Sequence, residues 1–166
     1  MGQGFRTTHQ MTIGADFAVH HTKIVVNEIE RDVMYQIWDL AGQPSFKTVR
    51  ARFFRGAMAG ICVFDINREE SFQHLASWIT ELWQNCGRGV VPIIIIASKA
   101  DTRRKDSISI ETGLNYAKAL SKRTETRGFQ VHFIETSAKT GKNVEEAFLL
   151  IGKQIIQAMD DGKITI

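Results

Sequence analysis

The 166 residues contain only two cysteines, Cys62 and Cys86, and their spacing suggests neither a disulfide framework nor a metal site. Two lone thiols point instead to a reducing, intracellular compartment, with Cys62 as a small buried hydrophobe within a strand and Cys86 near a helix end. No apolar run is long enough to span a bilayer, and no linker, repeat or low-complexity stretch interrupts the chain. Charge of one sign is scarce as well: 21 Lys and Arg against 18 Asp and Glu leave a formal net charge of +3. The basic residues are dispersed over Arg50, Arg52, Arg55, Arg103, Arg104, Lys105, Lys118, Lys122 and Arg123, which reads as a solvated basic face. Nucleic-acid binding needs a concentrated stripe or a recognisable module, and neither is present. An anionic membrane surface is a weaker fit to the same charges. His20 and His21 alternate to opposite sides of a strand, and His9, His74 and His132 are scattered, so histidine offers no metal site.

With 43% hydrophobic residues the chain can bury a sizeable core as one compact domain over residues 1–166. Periodicity predicts strands at about 16–26 and 33–39, a helical segment near 46–57, strand 60–65, helix 68–86, strand 91–97, helix 109–127, strand 130–135 and helix 144–159. Strands alternating with helices predict an α/β, three-layer, doubly wound and mostly parallel sheet, with the first two strands antiparallel.

Three strand ends carry chemistry. Gln36-Ile37-Trp38-Asp39-Leu40-Ala41-Gly42-Gln43 is a strand ending in a carboxylate, a glycine turn and an amide. Open α/β sheets bind ligands at such edges, and Asp, Gly, Gln in this order suits a nucleoside triphosphate with Mg²⁺. An ordinary strand running into a polar turn would look the same. After the apolar run 91–97 comes Ser98-Lys99-Ala100-Asp101, whose carboxylate can accept the ring N–H and exocyclic amine that distinguish guanine from adenine. After Phe129-Gln130-Val131-His132-Phe133-Ile134 comes Glu135-Thr136-Ser137-Ala138-Lys139, whose backbone N–H groups suit the guanine carbonyl. Lys99 or Asp101 alone would read as a solvated loop charge. A flavodoxin-like or receiver domain shares the sheet but has no use for this pair of base loops.

Together these segments resemble the Ras-like small GTPases, and more specifically the Rab branch. Thr12-Ile13-Gly14-Ala15-Asp16-Phe17 is similar to switch I, the tryptophan-containing run to the start of switch II, and Arg52-Phe53-Phe54-Arg55-Gly56-Ala57 to its end. Val63-Phe64-Asp65-Ile66, Ser71-Phe72 and Trp78 continue the pattern.

The resemblance implies a GTP-binding molecular switch that hydrolyses GTP to GDP, in vesicle trafficking or signalling. Thr12 would offer its hydroxyl to Mg²⁺ and its N–H to the γ-phosphate. Asp39 would hold Mg²⁺ through water, Gly42 would donate its N–H to the γ-phosphate, and Gln43 would orient the attacking water. Ser98, Lys99, Asp101, Ser137, Ala138 and Lys139 would form the base site. Both switches would be ordered only while the γ-phosphate is present, so effector, exchange-factor and GTPase-activating proteins would read the nucleotide state. No arginine completes the site in cis, so fast turnover would need an activating partner whose Arg finger contributes on the order of 10³ to 10⁵ in rate.

The largest departure is that the phosphate-loop pattern G-x-x-x-x-G-K-S/T does not occur; Gly141-Lys142, Gly152-Lys153 and Gly162-Lys163 lack both the earlier glycine and the following Ser or Thr. Met1 to Met11 looks like the approach to switch I, so the family's first strand, phosphate loop and first helix are expected to be missing. That loop's N–H nest and lysine carry most of the phosphate charge, so impaired nucleotide binding, and no activity in the chain as given, are expected. The missing strand is central in the family's order, between the strand ending at Asp39 and the one ending near Asp65. Losing it forfeits on the order of ten ladder bonds at ~0.5–1.5 kcal/mol each, against a domain stability of ~5–15 kcal/mol. An incomplete chain, a nucleotide-free pseudo-GTPase acting as a protein-interaction module, and a fragment or rearranged fold are the competing explanations.

Smaller departures bear on rate. Ser98 stands where the family has Asn, so the tie between base pocket and phosphate loop should weaken. Leu40 and Pro44 replace Thr and Glu, and Pro44 restricts Gln43 before it. The hairpin between Phe17 and Trp38 is longer than Rab proteins usually have. The chain ends Asp160-Asp161-Gly162-Lys163-Ile164-Thr165-Ile166 without a prenylation cysteine, and Met1-Gly2 lacks the Ser or Thr of the myristoylation pattern. A monomeric cytoplasmic protein is expected, peripheral to membranes only through partners.

Overall fold

The computed structural model describes residues 12–165 and, within them, every side chain but that of Pro44. The expectations for Met1 to Met11, His9 and the Pro44 ring therefore lie outside the described residues. Five strands and five α-helices follow in order: β1 (Ala15–Val26), β2 (Ile29–Leu40), α1 (Lys47–Phe54), β3 (Gly60–Asp65), α2 (Glu69–Gln73), α3 (Leu75–Asn85), β4 (Ile93–Ser98), α4 (Ile110–Thr124), β5 (His132–Glu135) and α5 (Val144–Asp160).

β3, β4 and β5 form a parallel sheet with β4 in the centre. Because successive side chains of β4 point to opposite faces, its all-apolar run must be covered twice. Ile93, Ile95 and Ala97 join Cys62 and Phe64 of β3 against Leu75, Ile79 and Leu82 of α3 and Ala117 and Leu120 of α4. Ile94 and Ile96 join Ile134 of β5 against Ala147 and Ile151 of α5 on the other face. Helix, sheet and helix make the three α/β layers that the alternation predicts. Burial pushes the Cys62 thiol up to about 12, which suits an inert packing role.

β1 and β2 form a separate antiparallel ribbon, paired without interruption from Ala15↔Leu40 to Val26↔Ile29. The two-residue turn between them holds Asn27 at φ 52° and Glu28 at φ 65°. Positive φ at both central positions matches the twist of the flanking strands; asparagine tolerates it well, and glutamate adopts it less readily. This turn carries β2 back to Ile29, four residues earlier than the apolar alternation alone suggests, through Glu30, Arg31 and Asp32. Lys23 bonds Glu30 at 2.6 Å and Arg31 bonds Asp160 of α5 at 2.9 Å, so these charges have partners at the ribbon's far end.

The ribbon seats on α5. Ile24 and Val26 pack on Ile156, and the Tyr35 hydroxyl donates to the Phe148 carbonyl at 2.6 Å. Gly152 permits this approach, since a Cβ there would collide with the Tyr35 hydroxyl and Ile24 Cδ1. Among the described residues, β2 pairs only with β1 and β3 only with β4, so the two sheets share no backbone ladder.

The predicted helix 68–86 is two helices separated at His74, which keeps right-handed helical angles (φ −75°, ψ −13°) and donates its N–H to Glu70 O at 3.1 Å. The predicted helix 109–127 is α4 followed by a tight 3-10 turn that ends at Gly128, φ 69°. Ser109 caps α4, its Oγ accepting from Thr112 N–H at 3.0 Å. No helix among the described residues is long and apolar enough to cross a membrane.

Candidate functional site

Parallel pairing brings the C-terminal ends of β3, β4 and β5 to one edge: Asp65 is opposite Ser98, and Ala97 is opposite Glu135. Both predicted base loops leave the sheet there. They are stitched to each other, with Thr136 N–H donating to Ala97 O at 2.8 Å and Ala100 N–H donating to Thr136 O at 3.0 Å. The fully buried Ser137 donates its hydroxyl to Asp101 Oδ1 at 2.6 Å. That bond aims an otherwise exposed carboxylate and leaves lone pairs for a ligand's donors. Ala138 and Lys139 follow on the open side of the same loop, both exposed.

Three contacts that the sequence did not reveal hold this edge. Lys99 sits at φ 63° and places Nζ 2.7 Å from Asp65 Oδ2. Asn143 donates its amide to Glu135 O at 2.8 Å, and Arg103 pairs with the Glu135 carboxylate. Burial acts to raise the Asp65 pKa, but the Lys99 hydrogen bond, the Asn67 N–H and the charges of Lys99 and Arg68 outweigh it and hold the carboxyl below its usual value. Ser98 donates its hydroxyl to Phe64 O at 2.8 Å, so this serine ties β4 to β3.

The second group lies at the end of β2. Thr12 donates its hydroxyl to Asp39 Oδ2 at 2.7 Å, and Ala41 N–H donates to Gly14 O at 2.9 Å, which joins the predicted switch I segment to the turn of switch II. A hydroxyl and a carboxylate oxygen this close fit the hard, oxygen-rich shell of Mg²⁺, which commonly keeps several waters and takes few protein ligands. No group of three or more His, Cys, Asp or Glu side chains arranged to hold a metal occurs among the described residues. Gly42 lies over Trp78 of α3; a Cβ there would be 3.8 Å from the indole.

One expectation is overturned here. Arg50, read as part of a solvated basic face, is 4% exposed. It donates through Nη1 to Ala41 O and Gln43 O, both at 2.8 Å, and through Nε and Nη2 to the Glu81 carboxylate at 3.3 and 3.2 Å. Its guanidinium stacks 4.4 Å over Trp78. Burial is possible because carboxylate, carbonyls and ring together replace water. Its side-chain partner lies 31 residues away, so no local pattern marks it.

Thr12, Asp39, Gly42 and Gln43 thus form one group, and Ser98, Lys99, Asp101, Ser137, Ala138 and Lys139 another. α3 touches both sides of this arrangement, through Trp78 on the turn and through Leu75, Ile79 and Leu82 on β3 and β4.

Paired loops at the carboxyl edge of a parallel sheet define an α/β protein of the nucleotide-binding type. The sequence matches the model of the Ras family over residues 1–157, and the chain belongs to that family. It is a Ras-like small GTPase domain, a class of GTP-binding switches that work with guanine nucleotide, Mg²⁺, regulators and effectors.

Proposed function

We propose that this chain is a guanine-nucleotide switch of the Rab branch, acting in vesicle trafficking or signalling as one monomeric domain over residues 1–166. Asp101, oriented by Ser137, reads guanine; Ser98, Lys99, Ala138 and Lys139 complete the base site. Thr12 and Asp39 take Mg²⁺, Gly42 donates to the γ-phosphate, and Gln43 orients water for slow hydrolysis to GDP. Effector, exchange-factor and GTPase-activating proteins are the expected partners, met in the cytoplasm or at a membrane to which those partners bring it. The observation that carries this reading is the Ser137–Asp101 bond between two loops at the same sheet edge.

The 166 residues contain no G-x-x-x-x-G-K-S/T, so in this polypeptide the phosphates lack that nest and lysine. Affinity therefore falls to about 1 µM or weaker while the preference for guanine stays. The second reading is a nucleotide-free interaction module. It is favoured by the half-exposed Phe17, Val19, Met34 and Trp38 on one face of the ribbon.

Titration of the 166-residue chain with fluorescent GDP, with and without Mg²⁺, followed by competition, separates the two. GDP should displace the probe and ADP should not. Asp101→Asn should weaken GDP on the order of a hundredfold, because an amide turns a donor toward guanine's own donors. Equal displacement by ADP, or no saturable binding, rejects the switch and leaves the module.

A further inference from the structure

Arg50 is the one buried residue of α1, and its hydrogen bonds converge on the backbone on both sides of Gly42. A single nitrogen, Nη1, serves the carbonyls of Ala41 and Gln43 at 2.8 Å each. Two carbonyls drawn to one cation from either side of a glycine fix both peptide planes between them, and with them the direction of the Gly42 N–H. Glycine would otherwise leave that direction free. Gln43 O also accepts from Phe46 N–H at 3.0 Å, so the turn runs directly into the helix that carries Arg50.

The arginine is itself held from α3. Glu81 accepts from Nε and Nη2, and Trp78 covers the guanidinium face. The Glu81 side chain is 12% exposed, so neither charge is free in water and each depends on the other. Four of the guanidinium's five N–H donors are engaged, a pattern that a lysine ammonium cannot reproduce.

We infer that Arg50 is a positioning residue of the γ-phosphate end of the site: locked by Glu81 and Trp78 of α3, it pre-sets the Ala41–Gly42–Gln43 turn and so favours GTP over GDP. The inference rests on the proposed reading for its effect on nucleotide, whereas the latch itself is a property of the protein alone. Contacts made with α3 next to Glu81 and Trp78 would reach the turn through this latch.

Two variants test it. Arg50→Lys keeps a charge but cannot span two carbonyls and a carboxylate; Glu81→Gln leaves the arginine and removes its counter-charge. Without nucleotide, amide exchange at Gly42 and Gln43 should quicken about tenfold in both variants, the scale expected from losing one charge-assisted hydrogen bond, while exchange in β4 stays at the wild-type rate. With nucleotide, the ratio of GTP to GDP affinity should fall about tenfold with GDP affinity unchanged. If Arg50→Lys does not fold, Glu81→Gln alone decides. Unchanged exchange at Gly42 and Gln43 overturns the latch. Equal losses for GTP and GDP reduce Arg50 to a purely structural role and overturn the positioning claim. If the wild-type chain binds neither nucleotide, the proposed switch fails by that result, and the exchange data still decide the latch.

Discussion

β4 and β2 are both apolar-rich strands that end near the site, yet five of the six residues of β4 are buried and none of the twelve of β2 is. Helices cover β4 on both faces, so its sequence is an unbroken apolar run. β2 is covered on one face only, so its sequence alternates, and Met34 and Trp38 stay half-exposed on the open side. The parallel sheet carries most of the core, while the ribbon carries Asp39 and the turn that follows it. The ribbon's position depends on a few contacts: Tyr35, Ile24 and Val26 against α5, and Trp38 against Phe53 of α1, whose rings are 5.0 Å apart.

This contrast predicts a graded set of effects. Ile94→Ala or Ile95→Ala, at fully buried positions, should cost about 2–5 kcal/mol in urea unfolding, a large share of a stability of ~5–15 kcal/mol. Met34→Ala on the open face of the ribbon should change it by less than ~0.5 kcal/mol. Equal costs at the two places would erase the distinction. Gly152→Ala comes next. The added methyl has no room beneath Tyr35 and Ile24, so about 1–3 kcal/mol should be lost despite alanine's better helix propensity. The loss should be local, with amide exchange quickening across β1 and β2 before β4. Tyr35→Phe removes only the bond to Phe148 O and should cost ~0.5–1.5 kcal/mol, read by the same exchange pattern.

The smallest effect is one of pH, at the sheet edge. Asp65 titrates below its usual value when folded, so it binds fewer protons folded than unfolded in that range. Its contribution is therefore present above the ordinary carboxylate pKa of 3.8 and lost as pH falls through the lower folded value. Asp65→Asn should flatten that part of an acid-unfolding profile, and an unchanged profile would show that the Lys99 pair is too solvated to matter.

Much of this architecture was legible because it rests on local pattern. The run Ile93–Ser98 could only be a strand buried on both faces, and the alternation after Asp16 could only be a ribbon open on one side. Asp101 and Ser137 were legible as members of two strand-end loops. What could not be read depends on partners far away in sequence. Glu30, Arg31 and Asp32 look like loop residues until the Asn27–Glu28 turn brings Lys23 across and α5 supplies Asp160. The break at His74 leaves no mark because the backbone stays helical there. Arg50 has the composition of a surface residue, and only its distant carboxylate and two backbone carbonyls show otherwise.

The central claim is that the two groups of strand-end residues serve one nucleotide. Amide exchange of the 166-residue chain in Mg²⁺, followed with GDP, with GTP and with ADP, tests it directly. The account predicts slowed exchange at residues 100–102 and 137–139 with GDP and GTP alike, slowed exchange at residues 12–14 and 42–43 with GTP alone, and no change with ADP. Protection of one group of loops without the other under saturating GTP would contradict it.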